Sequence, residues 1–308
     1  MAKYNFLRDS QLHIVYGSNR YNVKITPDFS FNQTFAEDAY SVKTLHDQTK
    51  MFQGTSVTKA NPANFSFEVH LTTEKDESIV LDLLTDYDTS SGEQLLKSFD
   101  MYIVSGESTF KLEGCIITSG DFNFAKNKPL SLRVSGQAKK LSRVGDENYS
   151  LPGNLQSASA TRTPTKPLLD VELDIGQTNS YSDISNLISA TLSVQNNISW
   201  TPYETLQDSL SVTSASNAMY PSRYSLNDRV VSGNITQFHT DANTSEYQTF
   251  DTANNIRIKT LVNNSTFFNA SMVGCMFTKR TSTTEVFTQT YDYRLVTSPT
   301  DLGTIITY

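Results

Sequence analysis

The chain carries a long internal repeat. The run Ser-Thr-Phe at 108–110, followed by Gly-Cys-Ile-Ile-Thr at 114–118, returns as Ser-Thr-Phe at 265–267 and Gly-Cys-Met-Phe-Thr at 274–278. The two cysteines of the chain, Cys115 and Cys275, therefore occupy matching places. Self-similarity at a long period decides the architecture before any local pattern does. The repeat predicts one fold present twice.

A second pair of similar segments lies upstream of these runs. Residues 28–35 lead into a long polar stretch, as residues 191–198 do. The 308 residues suit two domains of about 150 residues, each large enough to bury a core. The segment between them holds Pro152, Gly153 and Pro164 in a Ser-, Ala- and Thr-rich context, which is typical of a boundary. We predict a first domain at 1–140, a linker at 141–166 and a second domain at 167–308.

Strand patterns dominate the chain. Phe65, Phe67 and Val69 alternate with polar residues, and residues 29–35 and 129–138 alternate in the same way. Alternation of this kind is typical of a strand with one buried face. One helix is predicted at 74–87, where apolar residues recur at helical spacing, and the second copy shows no clear equivalent. The expected fold is mainly β: two tandem antiparallel β-sandwich or half-barrel domains with one helix in the first.

Both copies contain a long polar insertion between two patterned strands. Residues 36–64 show no sustained period, and a loop of this length is uncommon in a compact domain unless it is functional or disordered. We interpret this segment as a hairpin arm, and the second copy repeats the order of strand, long loop and strand across 187–238. The residues predicted to make contacts from the arms are Asp38, Lys43, His46, Asp47, Lys50, Tyr203, Glu204, Asp208, Arg223 and Asp228.

Several classes of protein are disfavoured by charge and motifs. The formal net charge is −7 with no cluster of basic residues, so attraction to nucleic acid is not expected. No apolar run approaches the roughly 20 residues of a membrane span, and the start lacks a secretory signal, which predicts assembly in cytoplasm. The histidines lack metal-ligand spacing, the cysteines are expected to be buried thiols, and no nucleotide or hydrolase motif occurs. No catalytic, cofactor or metal residue is predicted.

Together these features resemble the tail tube proteins of long-tailed bacteriophages, specifically those with two tube domains in one chain. The resemblance covers nearly the whole chain and includes no single diagnostic motif. The segments that carry it are 29–35, the arm at 36–64, 65–69, the helix near 74–87, and 192–238.

The resemblance implies a structural subunit of the virion tail with no enzymatic activity and no membrane partner. Ordinary tube proteins form hexameric rings, so a duplicated chain implies a trimeric, pseudo-hexameric ring stacked on tail tip and tail completion proteins. Inner strands join across subunits around a lumen that conducts DNA without specific binding, and the arms reach neighbouring rings. The polar residues expected to face the lumen are Ser30, Asn32, Ser66, Glu68, His70, Ser131, Arg133, Ser193 and Gln195.

Two other readings remain open at this point. A double β-sandwich that binds a receptor or carbohydrate, as in a tail fibre or adhesin, has similar Tyr-, Ser- and Thr-rich surfaces. Such a module is expected to have short loops around a concave aromatic site, whereas a tube subunit is expected to have two equivalent long arms. A hydrolase with a β-sandwich core would need convergent carboxylates, and the sequence does not reveal such a cluster.

Overall fold

The computed structural model describes residues 10–40, 54–88, 94–125, 128–146, 148–159, 161–164, 168–200, 220–240, 252–283, 285–297, 302 and 305–308, with backbone only at 38–40, 54–58 and 125. These residues form a mainly antiparallel β-fold with one short helix, α1 at Ser78–Thr85, which confirms the predicted fold class. No helix in the described part of the chain is long and apolar enough to cross a membrane.

The first unit, residues 10–146, is built around one long strand. Its strands are β1 Gln11–Tyr16, β2 Asn19–Val23, β3 Ser30–Asn32, β4 Phe35–Tyr40, β5 Gly54–Ala60, β6 Ala63–His70, β7 Tyr87–Asp88, β8 Leu95–Leu96, β9 Phe99–Ser105, β10 Ser108–Ala125, β11 Ser131–Ala138 and β12 Lys140–Gly145. They pair in the order β3–β6–β11–β10–β9–β1–β2, and β12 pairs with the first half of β10. Strand β10 therefore belongs to two sheets.

The second unit, residues 168–308, repeats this order of pairing. After the short β13 at Asn154–Leu155, its strands are β14 Leu168–Asp174, β15 Ser182–Asp183, β16 Leu187–Trp200, β17 Tyr224–Phe238, β18 Asn254–Val262, β19 Ser265–Thr283, β20 Phe287–Leu295 and β21 Ile306–Thr307. They pair as β16–β17–β20–β19–β18–β14–β15. The strands of these two pairing orders therefore correspond: β16 to β3, β17 to β6, β20 to β11, β19 to β10, β18 to β9, β14 to β1 and β15 to β2.

The bend in the long strand is built in the same way in both units. Gly114 and Gly274 both have positive φ, +60° and +78°, which favours glycine because it has no Cβ. Their backbone N–H groups donate to the side chains of Asp100 at 2.9 Å and Asn255 at 3.1 Å, residues at the same place in β9 and β18. This shared detail supports the duplication that the cysteine positions suggested.

Both cysteines are free thiols, as expected, and both are fully buried directly after these glycines. Burial raises the pKa of the Cys275 thiol to about 12 and raises that of Cys115 well above its usual range. These side chains are packing groups next to the bend and not reactive nucleophiles.

For the second pair of similar segments, 28–35 and 191–198, the register in the sheet differs from the sequence alignment by two residues. Thr191 faces Asn234 in the sheet, and the residue that takes this place in the first unit is Ser30, which faces Ser66. The aligned segments had put Asp28 there. Polar residues surround both positions, so composition alone does not fix a register that cross-strand pairing determines.

The helix is shorter than predicted. It was expected to span 74–87, but it begins at Ser78 and ends at Thr85. Lys75 has φ of +60°, which a right-handed helix cannot contain, so residues 73–77 form two turns instead. At the other end, Asp86 is extended and Tyr87 enters β7.

The first predicted arm is a β-hairpin at its root. Strand β4 pairs with β5 as a separate two-stranded sheet, from Phe35 opposite Ala60 to Tyr40 opposite Gly54. The Gln33 amide secures this root by donating to the carbonyl oxygens of Asn61 at 2.9 Å and Lys139 at 3.2 Å. In the second unit, β16 and β17 pair continuously out to Trp200 opposite Tyr224. Residues 41–53 and 201–219 lie outside the described residues.

The segment expected to be a linker, 141–166, contains ordered structure. Its start belongs to β12, and β13 pairs in parallel with β2. Further on, the Arg162 guanidinium lies 2.8 Å from the Glu77 carboxylate, which is fully buried. The segment therefore runs along the first unit, and the predicted domain limits remain a prediction.

The core of the first unit lies between the two sheets that share β10. Phe65 of β6 contacts Phe99 of β9, and Phe31 of β3 contacts Phe110 of β10, with ring centroids 6.2 and 5.6 Å apart. Phe65 also covers Gly136, its cross-strand partner.

The second unit contains the same aromatic–glycine pair with the two positions exchanged. Tyr293 of β20 covers Gly233 of β17, where the first unit has glycine on β11 and the aromatic ring on β6. Because either strand can supply the ring, the shape of the core is retained while its sequence is not.

Gly136→Ala tests this packing. A Cβ at Gly136 would lie 2.2 Å from Phe65 Cζ and 2.4 Å from the Ile116 carbonyl oxygen, so the sheet must shift to accept it. We expect the free energy of unfolding to fall by about 2 kcal/mol, the usual scale for overpacking. Gly106→Ala is the control, since nothing lies within 4 Å of its Cβ. Urea unfolding of both variants provides the measurement, and equal stability would contradict the close packing.

Candidate assembly interface

The two units are joined into one sheet. The second half of β10 pairs with β11 on one side and with β16 of the second unit on the other, from Ser119 opposite Gln195 to Ala125 opposite Ser189. This sheet therefore runs without a break from β3 through β6, β11, β10, β16, β17 and β20 to the second half of β19, whereas β18, β14 and β15 pair with the first half of β19, before its bend. We call the β10–β16 pairing the internal junction.

One face of this sheet is polar across both units. Glu68, Arg133, Asp121 and Ser193 occupy successive strands at directly opposed positions. The Ser193 hydroxyl donates to the Asp121 carboxylate at 2.6 Å across the internal junction. Acidic and basic groups alternate along this row, so the face carries local charge of both signs rather than a field of one sign.

All nine residues predicted to face a lumen lie on this polar face. Cross-strand pairing aligns Ser30 with Ser66, His70 with Ser131, and Gln195 with Ser119. The hydroxyls of Ser30 and Ser66 are 2.9 Å apart, which confirms that they share a face. The remaining predicted residues on the same face are Asn32, Glu68, Arg133 and Ser193. Their role in lining a lumen stays a prediction.

The predicted arm residues are only partly described. Arg223 and Asp228 are exposed at the root of the second hairpin, and Asp228 accepts a hydrogen bond from the Asn197 amide across the strand pair. For Asp38 only the backbone position in β4 is described. The predicted residues that lie outside the described part are Lys43, His46, Asp47, Lys50, Tyr203, Glu204 and Asp208. Their role in ring contacts is untested.

The opposite face of the internal junction is covered by helix α1. A Cβ on Gly120 of β10 would lie 2.3 Å from Leu84 Cδ2, so the helix approaches the strand closely because this position has no side chain. Beside it, the rings of Phe122 and Phe124 contact Phe268 of the second unit at 5.1 and 5.5 Å. The two units therefore share a hydrophobic core as well as a sheet.

A buried arginine fastens the helix to the second unit. Arg229 of β17 is 2% exposed, and its guanidinium donates to the carbonyl oxygens of Thr85 at 2.7 Å and Leu84 at 3.3 Å. These carbonyls belong to the C-terminal end of α1, where the helix dipole attracts a cation. The same guanidinium donates to the Asn196 side chain at 2.6 Å and lies 4.2 Å from the ring centroid of Tyr87. We call this set of contacts the arginine clamp.

The sequence gives little indication of the arginine clamp. Arg229 falls in the patterned strand at a position that faces the core, where a charge is normally excluded unless it is paired or hydrogen-bonded. An arginine at a core-facing position in an otherwise alternating strand was the available signal. Its partners lie far away in the sequence, on a helix of the other unit, so the pattern could not identify them.

Each end of the joined sheet is an edge strand equivalent to one of the two strands of the internal junction. Strand β3 corresponds to β16, and among the described residues it pairs only with β6. Residues 278–283 of β19 correspond to the half of β10 that meets β16, and within the described part of the chain they pair only with β20. The two edges of the sheet are therefore equivalent to β16 and to the second half of β10, the two strands that pair at the internal junction.

A group of carboxylates occurs elsewhere, at Asp170, Glu172 and Asp183. The Lys259 ammonium lies 2.5 Å from the Glu172 carboxylate, and the Arg257 guanidinium lies 3.7 Å from it. Both cations lie on β18 and pair with Glu172, so the carboxylates of β14 and β15 belong to an ion-pair network across these strands.

A duplicated, open β-sheet with complementary ends defines a β-structured assembly subunit. Residues 2–308 match the model of the bacteriophage baseplate tube protein family, and the chain belongs to that family. No curated protein sequence matches the chain. The protein is therefore a structural, non-enzymatic component of the phage tail and baseplate.

This result confirms the general class that the sequence resemblance indicated, a tube-type structural protein of a bacteriophage. The chain is a tube-type phage structural protein of the virion, and family membership implies assembly with itself and with other tail or baseplate proteins. The family that matches is described as a baseplate tube protein family, whereas the resemblance was to the tail tube proteins with two tube domains in one chain.

Arg229→Met tests the arginine clamp. The variant keeps an apolar stem of similar length but leaves Thr85 O, Leu84 O and Asn196 Oδ1 without the guanidinium. We expect a loss of about 3 kcal/mol in the free energy of unfolding, because buried acceptors lose a charged donor. Arg133→Met, on the exposed polar face, is the control and should change stability by less than about 0.5 kcal/mol. Chemical unfolding of the two variants would show no difference if the clamp contributed nothing.

Proposed function

We propose that this protein polymerises head to tail into trimeric, pseudo-hexameric rings that form the baseplate segment of a tail tube. The observation that carries the proposal is the internal junction, in which β10 of one unit pairs with β16 of the next. The open edge of β19 and the open edge of β3 are the two halves of an equivalent junction between chains. Heterologous contacts of this kind close into rings when the rotation permits.

The number of chains follows from the duplication. Six tube units form a ring in the tail tubes that this chain resembles, and each chain contributes two units, so three chains complete the ring. Closure removes both open edges, which would otherwise be templates for pairing with other chains.

The polar face lines the lumen in this ring. The other face of the sheet is occupied by the core, by α1 and by the second sheet of the first unit, which leaves only the polar face free to point inward. Alternating charges give DNA no continuous row of cations to bind, since affinity for DNA depends on neutralising many phosphates. The arms would then reach adjacent rings and the neighbouring tail and baseplate proteins.

The register of the proposed junction can be derived from the internal one. Asp121 faces Ser193 across β10 and β16. Matching the cross-strand registers of the two units makes Arg280 the equivalent of Asp121, and Asn32 the equivalent of Ser193. Arg280 of one chain should therefore lie directly opposite Asn32 of the next.

Cysteine cross-linking tests this register. The double variant Asn32→Cys with Arg280→Cys should form disulfides between neighbouring chains on mild oxidation, since opposed residues of paired strands are within bridging distance. The products should be dimers and cyclic trimers on non-reducing gels. The native thiols are fully buried and should not contribute.

The matched control is Asn32→Cys with Ser282→Cys. It has the same face and strand but is displaced by two residues, about 7 Å along the strand, so it should cross-link weakly. Electron microscopy of end-on views should show rings with threefold, nearly sixfold, symmetry for both. Equal cross-linking of the two variants, or compact particles without rings, would contradict the proposal and favour a binding module.

The lumen assignment is tested by adding positive charge. Ser66→Lys with Glu68→Lys should leave assembly intact but make the rings retain short duplex DNA, with binding that weakens steeply as salt rises. In virions, DNA release should slow. The control carries lysines on the opposite side, as Glu107→Lys in the β9–β10 turn with Ser157→Lys near β13. Identical DNA retention by both variants would show that the polar face is not the lumen wall.

A further inference from the structure

An exposed apolar group surrounds the glycine bend of the second unit. Val273, Met276 and Val296 are 61%, 40% and 58% exposed, and the Val296 N–H donates to the Gly274 carbonyl at 3.2 Å, which places these residues around one bend. Exposed apolar side chains scattered singly need no explanation, whereas a group invites contact with another surface. We call these three residues the bend patch.

The corresponding place in the first unit is already covered. The equivalents of Val273, Met276 and Val296 are Glu113, Ile116 and Lys139, and Ile116 is fully buried. Gln137, the cross-strand partner of Ile116, accepts a hydrogen bond from Trp200 Nε1 at 2.7 Å. The root of the second-unit hairpin therefore lies over this part of the first unit.

Further contacts extend this covered surface. The Lys140 ammonium lies 4.8 Å from the ring centroid of Tyr220. Tyr220 and Pro221 form one wall of a cleft whose other wall includes Glu113 and Lys139. The Tyr224 hydroxyl donates to the Leu96 carbonyl at 2.8 Å. Aromatic residues at the root of one unit's hairpin thus cover the bend of the preceding unit in the sheet.

We infer that the bend patch is the docking surface for the β4–β5 hairpin of a second copy of this chain. Hairpin β4–β5 corresponds to the distal part of β16–β17, because β3 and β6 correspond to the proximal parts. Strand β4 begins at Phe35, which is 45% exposed, and ends at Tyr40, whereas β16 ends at Trp200. The inference rests on the proposed ring, and the patch is continuous with the open edge at 278–283 of the same strand.

The bend patch and the equivalent covered surface of the first unit differ in polarity, as expected if the bend patch binds a separate chain. The covered place has Glu113 and Lys139, where the bend patch has valines. Within one chain the hairpin is held near its target by the covalent connection and the shared sheet, so the contact needs little hydrophobic driving force. A contact between separate chains must offset the loss of free motion, and burial of apolar surface supplies that free energy.

A photo-cross-linking amino acid at Met276 tests the docking directly. Rings assembled from a mixture of isotopically heavy and light chains should give cross-linked peptides that join a heavy chain to a light chain, with the partner residues in 35–40 or 54–60. The same probe at Leu168, which is 71% exposed and lies outside the patch, should not reach this hairpin. Cross-links from Met276 only within one chain, or to other segments of the neighbour, would overturn the inference.

The strength of the contact is tested by Val273→Ser with Val296→Ser. We expect the concentration needed for ring formation to rise about tenfold, with the unfolding midpoint unchanged because both side chains are exposed. The control is Leu155→Ser with Leu168→Ser, which removes two exposed apolar side chains elsewhere. Unchanged assembly of the patch variant would overturn the inference.

The ring itself is monitored separately by the Asn32–Arg280 disulfide. Cross-linked trimers together with unchanged assembly of the patch variant would reject the docking surface alone. Absence of both the disulfide and the rings would reject the proposed function and, with it, the docking surface.

Discussion

The pairing of β10 with β16 is the contact on which the rest of the structure depends. It joins the sheets of the two units into one, so that one polar face and one apolar face extend across both units. Because side chains alternate with a period of two, this pairing also fixes which residues share a face over the whole sheet. The Asp121–Ser193 hydrogen bond on one face and the packing of Phe122 and Phe124 on the other secure the same register from both sides.

The internal junction and the proposed junction between chains differ in how they are stabilised. The internal junction has helix α1 over Gly120 and the arginine clamp from Arg229, both on the apolar side. Matching the registers puts Lys279, Thr281 and Thr283 of the open β19 edge where β10 has Gly120, Phe122 and Phe124. The open edge therefore has polar residues where the internal junction has its apolar packing.

The sequence predicted those features that arise from local pattern. The repeat of glycine and cysteine at 114–115 and 274–275 correctly indicated the duplication, and alternation along β6 and β11 placed the predicted polar residues on one face. The helix was predicted in the right part of the chain, but its predicted start at residue 74 is too early, because nothing in the periodicity reveals the positive φ of Lys75.

Features that depend on contacts between distant segments were not predicted. The position of Ser30 opposite Ser66, and hence the true register of the repeat, follows from strand pairing. The clamp between Arg229 and the carbonyl of Thr85 joins residues of different units, and it needs the assembled sheet to exist. The exchange of aromatic and glycine between Phe65–Gly136 and Tyr293–Gly233 hides the equivalence of these strands from a residue-by-residue comparison.

The polar character of the open edge gives a physical reason for ordered assembly. An exposed edge with apolar residues pairs indiscriminately with other chains, and charged side chains such as Lys279 and Arg280 counter that tendency. In the proposed ring, a single junction between two chains buries less apolar area than the internal junction, so it is the weaker of the two. In the proposed closed ring, each chain is held at both of its edges, so dissociation of one chain must break two junctions together. Assembly should therefore favour complete rings over open oligomers, and a pre-existing ring or tail tip that holds several chains side by side would promote closure by raising their effective concentration.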